Sequence, residues 1–246
     1  MPLFQWINVV MNQILGFLIL KIIDTVKYFK YKEWKIFKGY GLRIYTGLFG
    51  AGKTSTMVRD AYVICKKYSQ VTLLTNMTIV NFPKHTKIIF LDDYKQIISS
   101  PANTLILIDE IATIFNARDW KTDGVPAPLL GQLLQVRHVR KMILATAQKF
   151  DHVDKLIRQI TFDVRECMCI MGRWNFVKVY NAMDYEATIG NSEKTGRVKR
   201  IYGFLQTDQV RSLFDTMEMV ERMKKKQYLN DVEVLAKQQT KVIKFN

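Results

Sequence analysis

The chain has 246 residues, enough for one domain of ordinary size with additional segments. Its 48% hydrophobic and 12% aromatic content excludes a wholly disordered chain. A net charge of +15 indicates a polyanionic partner, either nucleic acid or an anionic membrane surface, although excess lysine also serves solubility alone. The three cysteines do not form a disulfide framework or a zinc-site pattern, so we expect reduced thiols.

The first 20 residues contain no ionisable side chain, and a helix of that length just crosses a hydrocarbon core of about 30 Å. Gln5, Asn8, Asn12 and Gly16 form a narrow polar stripe on this helix. The stripe suits either a spanning helix that packs against a neighbour or a helix in the membrane interface. A buried helix that caps the domain is the alternative. Six lysines follow between residues 21 and 38, and the positive-inside rule places them in the cytoplasm.

Strand and helix patterns alternate from residue 42 to residue 183. The predicted strands are Leu42–Thr46, Val71–Thr75, Lys87–Leu91, Thr104–Asp109 and Met142–Thr146. The predicted helices are Thr54–Lys67, Ala127–Val139 and His152–Gln159. Continuous apolar strands are typical of a parallel sheet that helices cover on both faces, so we predict an α/β fold.

A hairpin, a loop and a helix are predicted in the last third of the chain. Phe162–Ile170 and Trp174–Tyr180 form a predicted hairpin, Asn191–Arg200 a basic loop, and Asp208–Lys226 a helix. We therefore divide the chain into three parts. They are a membrane-associated helix with a basic linker (1–40), a P-loop domain (41–190) and a C-terminal helical extension (191–246).

Residues Gly47–Thr54 match the pattern G-x-x-x-x-G-K-[ST]. An apolar strand precedes them and a helical pattern follows, so the loop lies at a helix N-terminus, where backbone amides bind phosphate. Lys53 is expected to reach the β- and γ-phosphates of ATP, and the Thr54 hydroxyl to bind Mg²⁺. The residues expected to bind the nucleotide are Gly47, Gly50, Ala51, Gly52, Lys53, Thr54 and Ser55.

An acidic pair follows the apolar run Leu105–Ile108. The run delivers Asp109 to the carboxyl end of a strand, where ligands of open α/β sheets bind. We expect Asp109 to hold Mg²⁺ and Glu110 to be the general base that polarises the attacking water. Two solvated surface charges are the alternative.

Two further kinds of catalytic group are predicted. Gln148 follows the strand Met142–Thr146 and is our choice for a sensor of the γ-phosphate, with Thr146 second and a simple capping role as the alternative. Hydrolytic motors also use an arginine that neutralises charge in the transition state, often from the adjacent subunit. The candidates are Arg118, Arg137, Arg140 and Arg158, of which we favour Arg137 and Arg158.

Taken together, these segments resemble the zonula occludens toxin (Zot)-like family, the assembly ATPases of filamentous phages. The segments that carry the resemblance, over roughly residues 42–185, are the P-loop, Ile108-Asp109-Glu110, Ile114–Arg118, Gln135–His138, Ala147-Gln148 and Val153–Arg158. The first two are shared with a much wider superfamily of P-loop NTPases. The later, shorter segments point to this family.

The resemblance implies a RecA/FtsK-like ATPase domain on the cytoplasmic side of the host inner membrane. There it would use ATP and Mg²⁺ to extrude single-stranded phage DNA while coat proteins assemble on it. It also implies a homo-oligomer, with a hexameric ring as one option. Typical members carry their membrane span after the ATPase domain, whereas the apolar segment here is N-terminal. We therefore expect a different topology and no toxin activity.

Two alternative functions remain open from the sequence. The first is a motor that moves duplex DNA, of the conjugation or chromosome-partitioning type. The second is a membrane scaffold that binds ATP without turnover and recruits partners.

Overall fold

The computed structural model describes residues 3–93, 95–111, 131, 135, 138–189 and 196–215. By its internal contacts the chain divides into two compact units, Met1–Lys38 and Gly39–Asn246.

The first unit is built around one long helix, α1 (Leu3–Lys30). Within it lies the candidate span Trp6–Lys30, in which an 18-residue window has a mean hydropathy of 1.7 and none of that window is buried, so by length and composition it could cross a membrane. The helix continues ten residues beyond the uncharged stretch that ends at Leu20, and Lys27 and Lys30 lie in its last turn. Basic side chains are favourable there because they oppose the negative end of the helix dipole.

A short 3₁₀ turn, Glu33–Lys35, follows α1. It begins after Lys32, whose φ of 50° is left-handed and stops the α-helix. The rings of Tyr28, Phe29 and Trp34 then contact each other, with centroids 5.6 to 6.0 Å apart.

The second unit is an α/β domain whose elements alternate along the chain. Its strands are β1 (Gly41–Thr46), β2 (Thr72–Thr75), β3 (Lys87–Phe90), β4 (Thr104–Ile108), β5 (Met142–Thr146), β6 (Thr161–Ile170), β7 (Trp174–Asn181) and β8 (Val198–Leu205). Its described helices are α2 (Lys53–Lys67), α3 (Lys95–Ser99), α4 (Lys155–Gln159), α5 (Ala182–Glu186) and α6 (Asp208–Arg211).

All eight strands form one sheet in the order β3-β2-β4-β5-β1-β6-β7-β8. The neighbours from β3 to β6 are parallel, and β7 and β8 are added antiparallel. Strand β5 lies between β4 and β1, and all three strands run parallel. Their carboxyl ends therefore lie side by side at one edge of the sheet. The predicted mainly parallel sheet with flanking helices is confirmed.

The core lies on both faces of the central strands, which are continuously apolar and buried. On one face, Ile97, Ile157 and Ala182 from the short helices α3, α4 and α5 join the strand residues in one cluster. Helix α2 contacts β1, β4, β5 and β6 and buries Met57, Val58 and Ala61, among others. Burial on this scale is the main stabilising contribution in a domain of this size.

Helix α2 is also joined to the sheet by a buried polar network around Asp60. The Oδ2 atom of Asp60 accepts hydrogen bonds from the Tyr45 hydroxyl (2.9 Å), Arg165 Nη1 (2.7 Å) and the Tyr202 hydroxyl (2.6 Å). One carboxylate thus connects α2 to β1, β6 and β8.

The structure corrects two predictions in the C-terminal part. The predicted loop Asn191–Arg200 is wrong from Val198 onward, because β8 starts there and pairs with β7. The predicted helix from Asp208 ends at Arg211, since Phe214 instead forms a β-bridge with Ile79. The part of the predicted helix Asp208–Lys226 beyond residue 215 lies outside the described residues. Most of the predicted helix Ala127–Val139 does so too.

Candidate functional site

The loop between β1 and α2 contains three glycines with positive φ, and at two of them a side chain would also have no space. Gly47 and Gly52 have φ values of 149° and 77°. A Cβ atom on Gly47 would lie 2.6 Å from the carbonyl oxygen of Cys167, and one on Gly52 would lie 2.7 Å from Asn175 Nδ2. Both contacts are shorter than real Cβ atoms show, so the motif glycines are required for conformation and for space.

Helix α2 begins directly after this loop, with Gly52 as its N-cap. The first complete helical hydrogen bond runs from the Thr56 amide to the Gly52 carbonyl, at 2.9 Å. The amides before Thr56 in the first turn therefore have no acceptor within the helix. Together with the positive end of the helix dipole, they make this point suitable for an anion such as phosphate.

Lys53 lies at the bottom of the loop and is 8% exposed. Its Nζ donates to the carbonyl oxygens of Gly47 (2.9 Å) and Leu48 (3.0 Å) and to Gln148 Oε1 (3.0 Å). Burial lowers the pKa of Lys53, and the negative charge of Glu110 opposes this shift. The cation is thus kept within the loop by three oxygen acceptors.

Thr54 and Asp109 meet at the carboxyl edge of the sheet, as the sequence predicted. The Thr54 hydroxyl donates to Asp109 Oδ1 at 2.8 Å, and the Thr146 hydroxyl donates to the same oxygen at 2.8 Å. Asn76 fixes the backbone of Asp109 by accepting from its amide (2.8 Å) and donating to its carbonyl (3.0 Å).

Glu110 is held in an unusual backbone conformation, with a φ of 55°. Its amide donates to the Thr146 hydroxyl at 2.7 Å, which compensates part of the strain of a left-handed residue. Burial raises the pKa of Glu110 and the charge of Asp109 raises it further, whereas Gln148 and Lys53 lower it. A carboxyl group with a raised pKa is suited to proton transfer nearer neutral pH.

Gln148 connects the two halves of the site. Its Oε1 accepts from Lys53 Nζ, and its Nε2 donates to Glu110 Oε2 at 3.4 Å. Its backbone carbonyl also accepts from the Gly47 amide at 3.4 Å. The Gln148 side chain therefore contacts both the cation of the loop and the carboxylate of Glu110.

Of the four predicted arginines, the two that the structure describes, Arg140 and Arg158, lie outside this cluster. Arg158 forms an ion pair with Glu186 (3.2 Å) and donates to the carbonyl oxygen of Asp151 (3.0 Å) within its own chain. Arg140 is exposed in the turn before β5. Arg118 and Arg137 lie outside the described residues.

Three polar residues that sequence reasoning missed support the site. Asn76 directly follows β2, a position that could have been found because Asp109 and Gln148 also follow central strands. Asn175 on β7 is 1% exposed and donates to the hydroxyls of Ser55 (3.3 Å) and Thr56 (3.2 Å). Gln206 in turn donates to Asn175 Oδ1 at 2.8 Å.

The contacts also bear on the expected Mg²⁺. Thr54 and Asp109 offer a hydroxyl and a carboxylate oxygen 2.8 Å apart, and Mg²⁺ prefers such oxygen ligands. The described residues contain no cluster of three or more His, Cys, Asp or Glu able to hold a metal. A P-loop site does not need one, because phosphate and water supply the other ligands.

Comparisons with known proteins identify a family. The family "Zonular occludens toxin (Zot)" matches residues 41–207. A search of curated proteins gave no match. Among solved structures, the N-terminal domain of zonular occludens toxin from Neisseria meningitidis is 17% identical, with a TM-score of 0.49, covering 72% of this chain and 100% of that one.

Two further solved structures are also similar to this chain. The genome packaging NTPase B204 of Sulfolobus turreted icosahedral virus 2, in complex with AMPPCP, is 8% identical with a TM-score of 0.46, covering 65% of this chain and 97% of that one. The RadB recombinase is 13% identical with a TM-score of 0.45, covering 70% and 90%. The family match spans well over half of the chain, including every strand of the sheet. The chain therefore belongs to the zonular occludens toxin (Zot) family and has a P-loop NTPase fold.

Proposed function

We propose that this protein is an ATP-hydrolysing motor that drives filamentous phage assembly and the extrusion of single-stranded phage DNA at the host inner membrane. The observation that carries the proposal is the convergence of Lys53, Gln148 and the acidic pair at one edge of the sheet. These groups come from β1–α2, β4 and β5, and they are the parts that phosphoryl transfer from ATP to water requires.

Each group has a defined task in the proposed reaction. The loop amides and Lys53 bind the β- and γ-phosphates, since they concentrate positive charge where the nucleotide is most negative. Glu110 accepts the proton of the attacking water, and Gln148 orients that water or contacts the γ-phosphate. Thr54 and Asp109 would hold Mg²⁺, which when bound neutralises charge on the phosphate oxygens.

Hydrolysis also requires an arginine that neutralises charge in the transition state, and we propose that this residue is Arg137 or Arg158. The Arg158–Glu186 ion pair leaves the Arg158 side chain 18% exposed. To neutralise charge in the transition state, the Arg158 side chain would have to leave Glu186 and contact the nucleotide bound to an adjacent subunit. Such a role requires a homo-oligomer, for which we propose a ring, with six subunits as one option.

The proposed partners are based on the net charge, and the proposed location is based on the first unit. The net charge of +15 suits single-stranded DNA or a phage nucleoprotein, and coat proteins are the further proposed partners. Helix α1, which is apolar and unburied, would attach the protein to the inner membrane. The lysines after it would keep the ATPase domain on the cytoplasmic side.

The proposal is tested with the full chain in lipid vesicles, by phosphate release with and without single-stranded DNA. Glu110→Gln should lower turnover by about 100- to 10,000-fold, because it removes the base without changing the shape of the site. It should leave ATP binding intact. Asp184→Asn, an exposed carboxylate on α5, is the matched control and should leave turnover unchanged.

Other results would point to the alternative functions. Stronger stimulation by duplex than by single-stranded DNA would favour a duplex translocase. Tight ATP binding with negligible turnover in the assembled state would favour a scaffold. Unchanged hydrolysis by Glu110→Gln would contradict the assigned base.

A further inference from the structure

The face of the sheet on which α2 packs carries a group of cations that the proposed reaction does not use. A cavity of about 380 Å³ lies there, between α2 and β8. Among the described residues, its lining contains one carboxylate, that of Asp60, and four arginines, which are Arg43, Arg59, Arg165 and Arg200. Positive charge therefore predominates around the cavity, which favours an anionic ligand.

The arginines of the cavity wall are held in place by carboxylates beneath them. Asp60 accepts from Arg59 Nη1 at 3.0 Å through Oδ1, in addition to its three contacts through Oδ2. Asp163 forms ion pairs with Arg165 (3.1 Å) and Arg43 (3.5 Å). The side chains of Asp60 and Asp163 are only 11% and 7% exposed, so these carboxylates position the arginines without presenting negative charge at the surface.

Further cations extend the charge beyond the cavity. Lys66 is exposed and lies two turns after Arg59 on the same face of α2, with Val63 between them. On β8, Lys199 and Arg200 are both exposed. In the part of the chain that the structure describes, neither of these two forms an ion pair. Their charges are consequently available to a partner.

An exposed aromatic ring lies beside these cations. The ring of Phe162, which is 43% exposed, has its centroid 5.2 Å from Lys199 Nζ and 5.9 Å from Arg43 Cζ. Because Arg43 also lines the cavity, ring and cavity form one continuous surface. Two further pairs of a guanidinium and a ring, each at 5.0 Å, are Arg200 with Tyr202 and Arg59 with Phe204.

We infer that single-stranded DNA binds to this basic surface, which consists of Arg43, Arg59, Lys66, Phe162, Lys199 and Arg200. The inference rests on the proposed function for the identity of the partner, and on the contacts above for its location. A guanidinium can donate two parallel hydrogen bonds to a phosphate, so arginines fixed around a cavity suit a phosphate backbone. The exposed ring of Phe162 suits an unpaired base, which can stack on it, whereas the bases of a duplex stack on each other.

An anionic membrane is a less suitable partner for this surface. Lipid headgroups present a layer of charge that projecting basic side chains reach. Arg43, Arg59 and Arg165 instead lie along a cavity wall, drawn toward the carboxylates beneath them. A flexible strand can enter such a cavity more readily than a layer of headgroups can.

The basic surface is built in part on the helix that begins at the phosphate-binding loop. Arg59 and Lys66 belong to α2, whose first residue is Lys53. A strand bound to the basic surface would therefore contact directly the helix that carries the proposed nucleotide site.

The test measures the affinity of the full chain in detergent for fluorescent oligo(dT), by anisotropy over a series of salt concentrations without nucleotide. The double variant Lys199→Ala/Arg200→Ala should weaken binding at least about tenfold. Because two phosphate contacts are lost, the slope of log affinity against log salt should become shallower by about 1.4.

The matched control is Lys87→Ala/Lys178→Ala, which removes the same amount of charge from two exposed positions of the sheet. Lys87 lies on β3, at the other end of the strand order. Lys178 lies on the face of β7 opposite to Asn175, which contacts α2. The control should keep the salt slope of the unchanged protein.

A second variant tests the ring apart from the charges. Phe162→Leu keeps an apolar side chain but removes the surface for stacking, so it should weaken oligo(dT) binding at least about fivefold and leave the salt slope unchanged. Phe90→Leu is its control, since Phe90 is 39% exposed and lies on β3. Unchanged binding in Phe162→Leu would overturn the assignment of the ring.

The remaining outcomes separate this inference from its rivals and from the proposed function. It is overturned if the unchanged protein does not bind oligo(dT), if it binds a duplex of the same length more tightly, or if the double variant and its control bind equally. A double variant that loses phosphatidylglycerol vesicles but retains oligo(dT) would assign the surface to a membrane and also overturn the inference. The anisotropy assay needs no hydrolysis, so the expected DNA results without any ATP turnover would refute the proposed motor and leave the DNA surface intact.

Discussion

The contact between the P-loop and Asn175 gives a prediction whose size can be worked out from the structure. Gly52→Ala adds a methyl group at a φ of 77°, and a left-handed alanine costs about 1 to 2 kcal/mol. The new Cβ would lie 2.7 Å from Asn175 Nδ2 and 2.9 Å from its Oδ1, so the amide must move.

Moving that amide breaks buried hydrogen bonds. Asn175 donates to Ser55 and Thr56 and accepts from Gln206, and an unsatisfied buried polar group costs about 1 to 3 kcal/mol. The free energy of unfolding should therefore fall by about 2 to 5 kcal/mol in Gly52→Ala. Urea denaturation, with an unchanged slope, measures this as a lower midpoint.

The matched control is Gly50→Ala. Gly50 has a φ of 76°, but a Cβ there would meet nothing within 4 Å. This variant should therefore show only the backbone cost of about 1 to 2 kcal/mol. Equal destabilisation by the two alanines would refute the assigned contact.

A double-mutant cycle separates the contact from general damage. In an Asn175→Ala background the new methyl group has space, so Gly52→Ala should cost no more than Gly50→Ala does in the unchanged protein. Additive costs of Gly52→Ala and Asn175→Ala would show that the two residues do not interact, contrary to our reasoning.

Three further predictions follow from other parts of the molecule. Gln148→Leu removes a hydrogen bond that lowers the pKa of Glu110, so the acidic limb of the pH–turnover profile should move to higher pH, because the base must be deprotonated to act. An unshifted limb would contradict this. Asp60→Asn weakens the acceptor of three hydrogen bonds, two of them from the buried Tyr45 and Arg165, and should lower the free energy of unfolding by about 3 kcal/mol. The exposed Asp208→Asn should leave the urea midpoint unchanged. Leu15→Lys puts a charge in the apolar part of α1 and should shift the protein from vesicle-bound to free in flotation assays; retention on vesicles would argue against membrane attachment through this helix.

Much of the fold could be predicted because the central strands carry a strong local signal. Leu105–Ile108 is a continuous aliphatic run, and the structure buries every residue of it. The loop of Gly47–Thr54 is also local, since motif, preceding strand and following helix are contiguous. Thr54 follows the loop after β1, and Asp109 follows β4. Because parallel strands have their carboxyl ends at the same edge of the sheet, the two residues lie close together.

The C-terminal strand could not be recognised in the same way. Among the described strands, β8 pairs with β7 alone and lies at the edge of the sheet, so Lys199 and Arg200 can be exposed on it and the stretch looks like a basic loop. The early end of α6 depends on a bridge between Phe214 and Ile79, which are far apart in sequence. The role of Asn175 likewise depends on the hairpin folding back over α2, a tertiary contact without a sequence pattern.

The strand order has a consequence for the order in which the chain becomes functional during synthesis. Lys53 and its acceptor Gln148 are 95 residues apart, and β5 and β6, the two neighbours of β1, both follow residue 141. A ribosome therefore releases α1 first, then the loop, and only much later the strands that hold the loop in place. Helix α1 is therefore complete before the residues of the proposed nucleotide site can come together, so the proposed attachment of α1 to a bilayer would precede nucleotide binding.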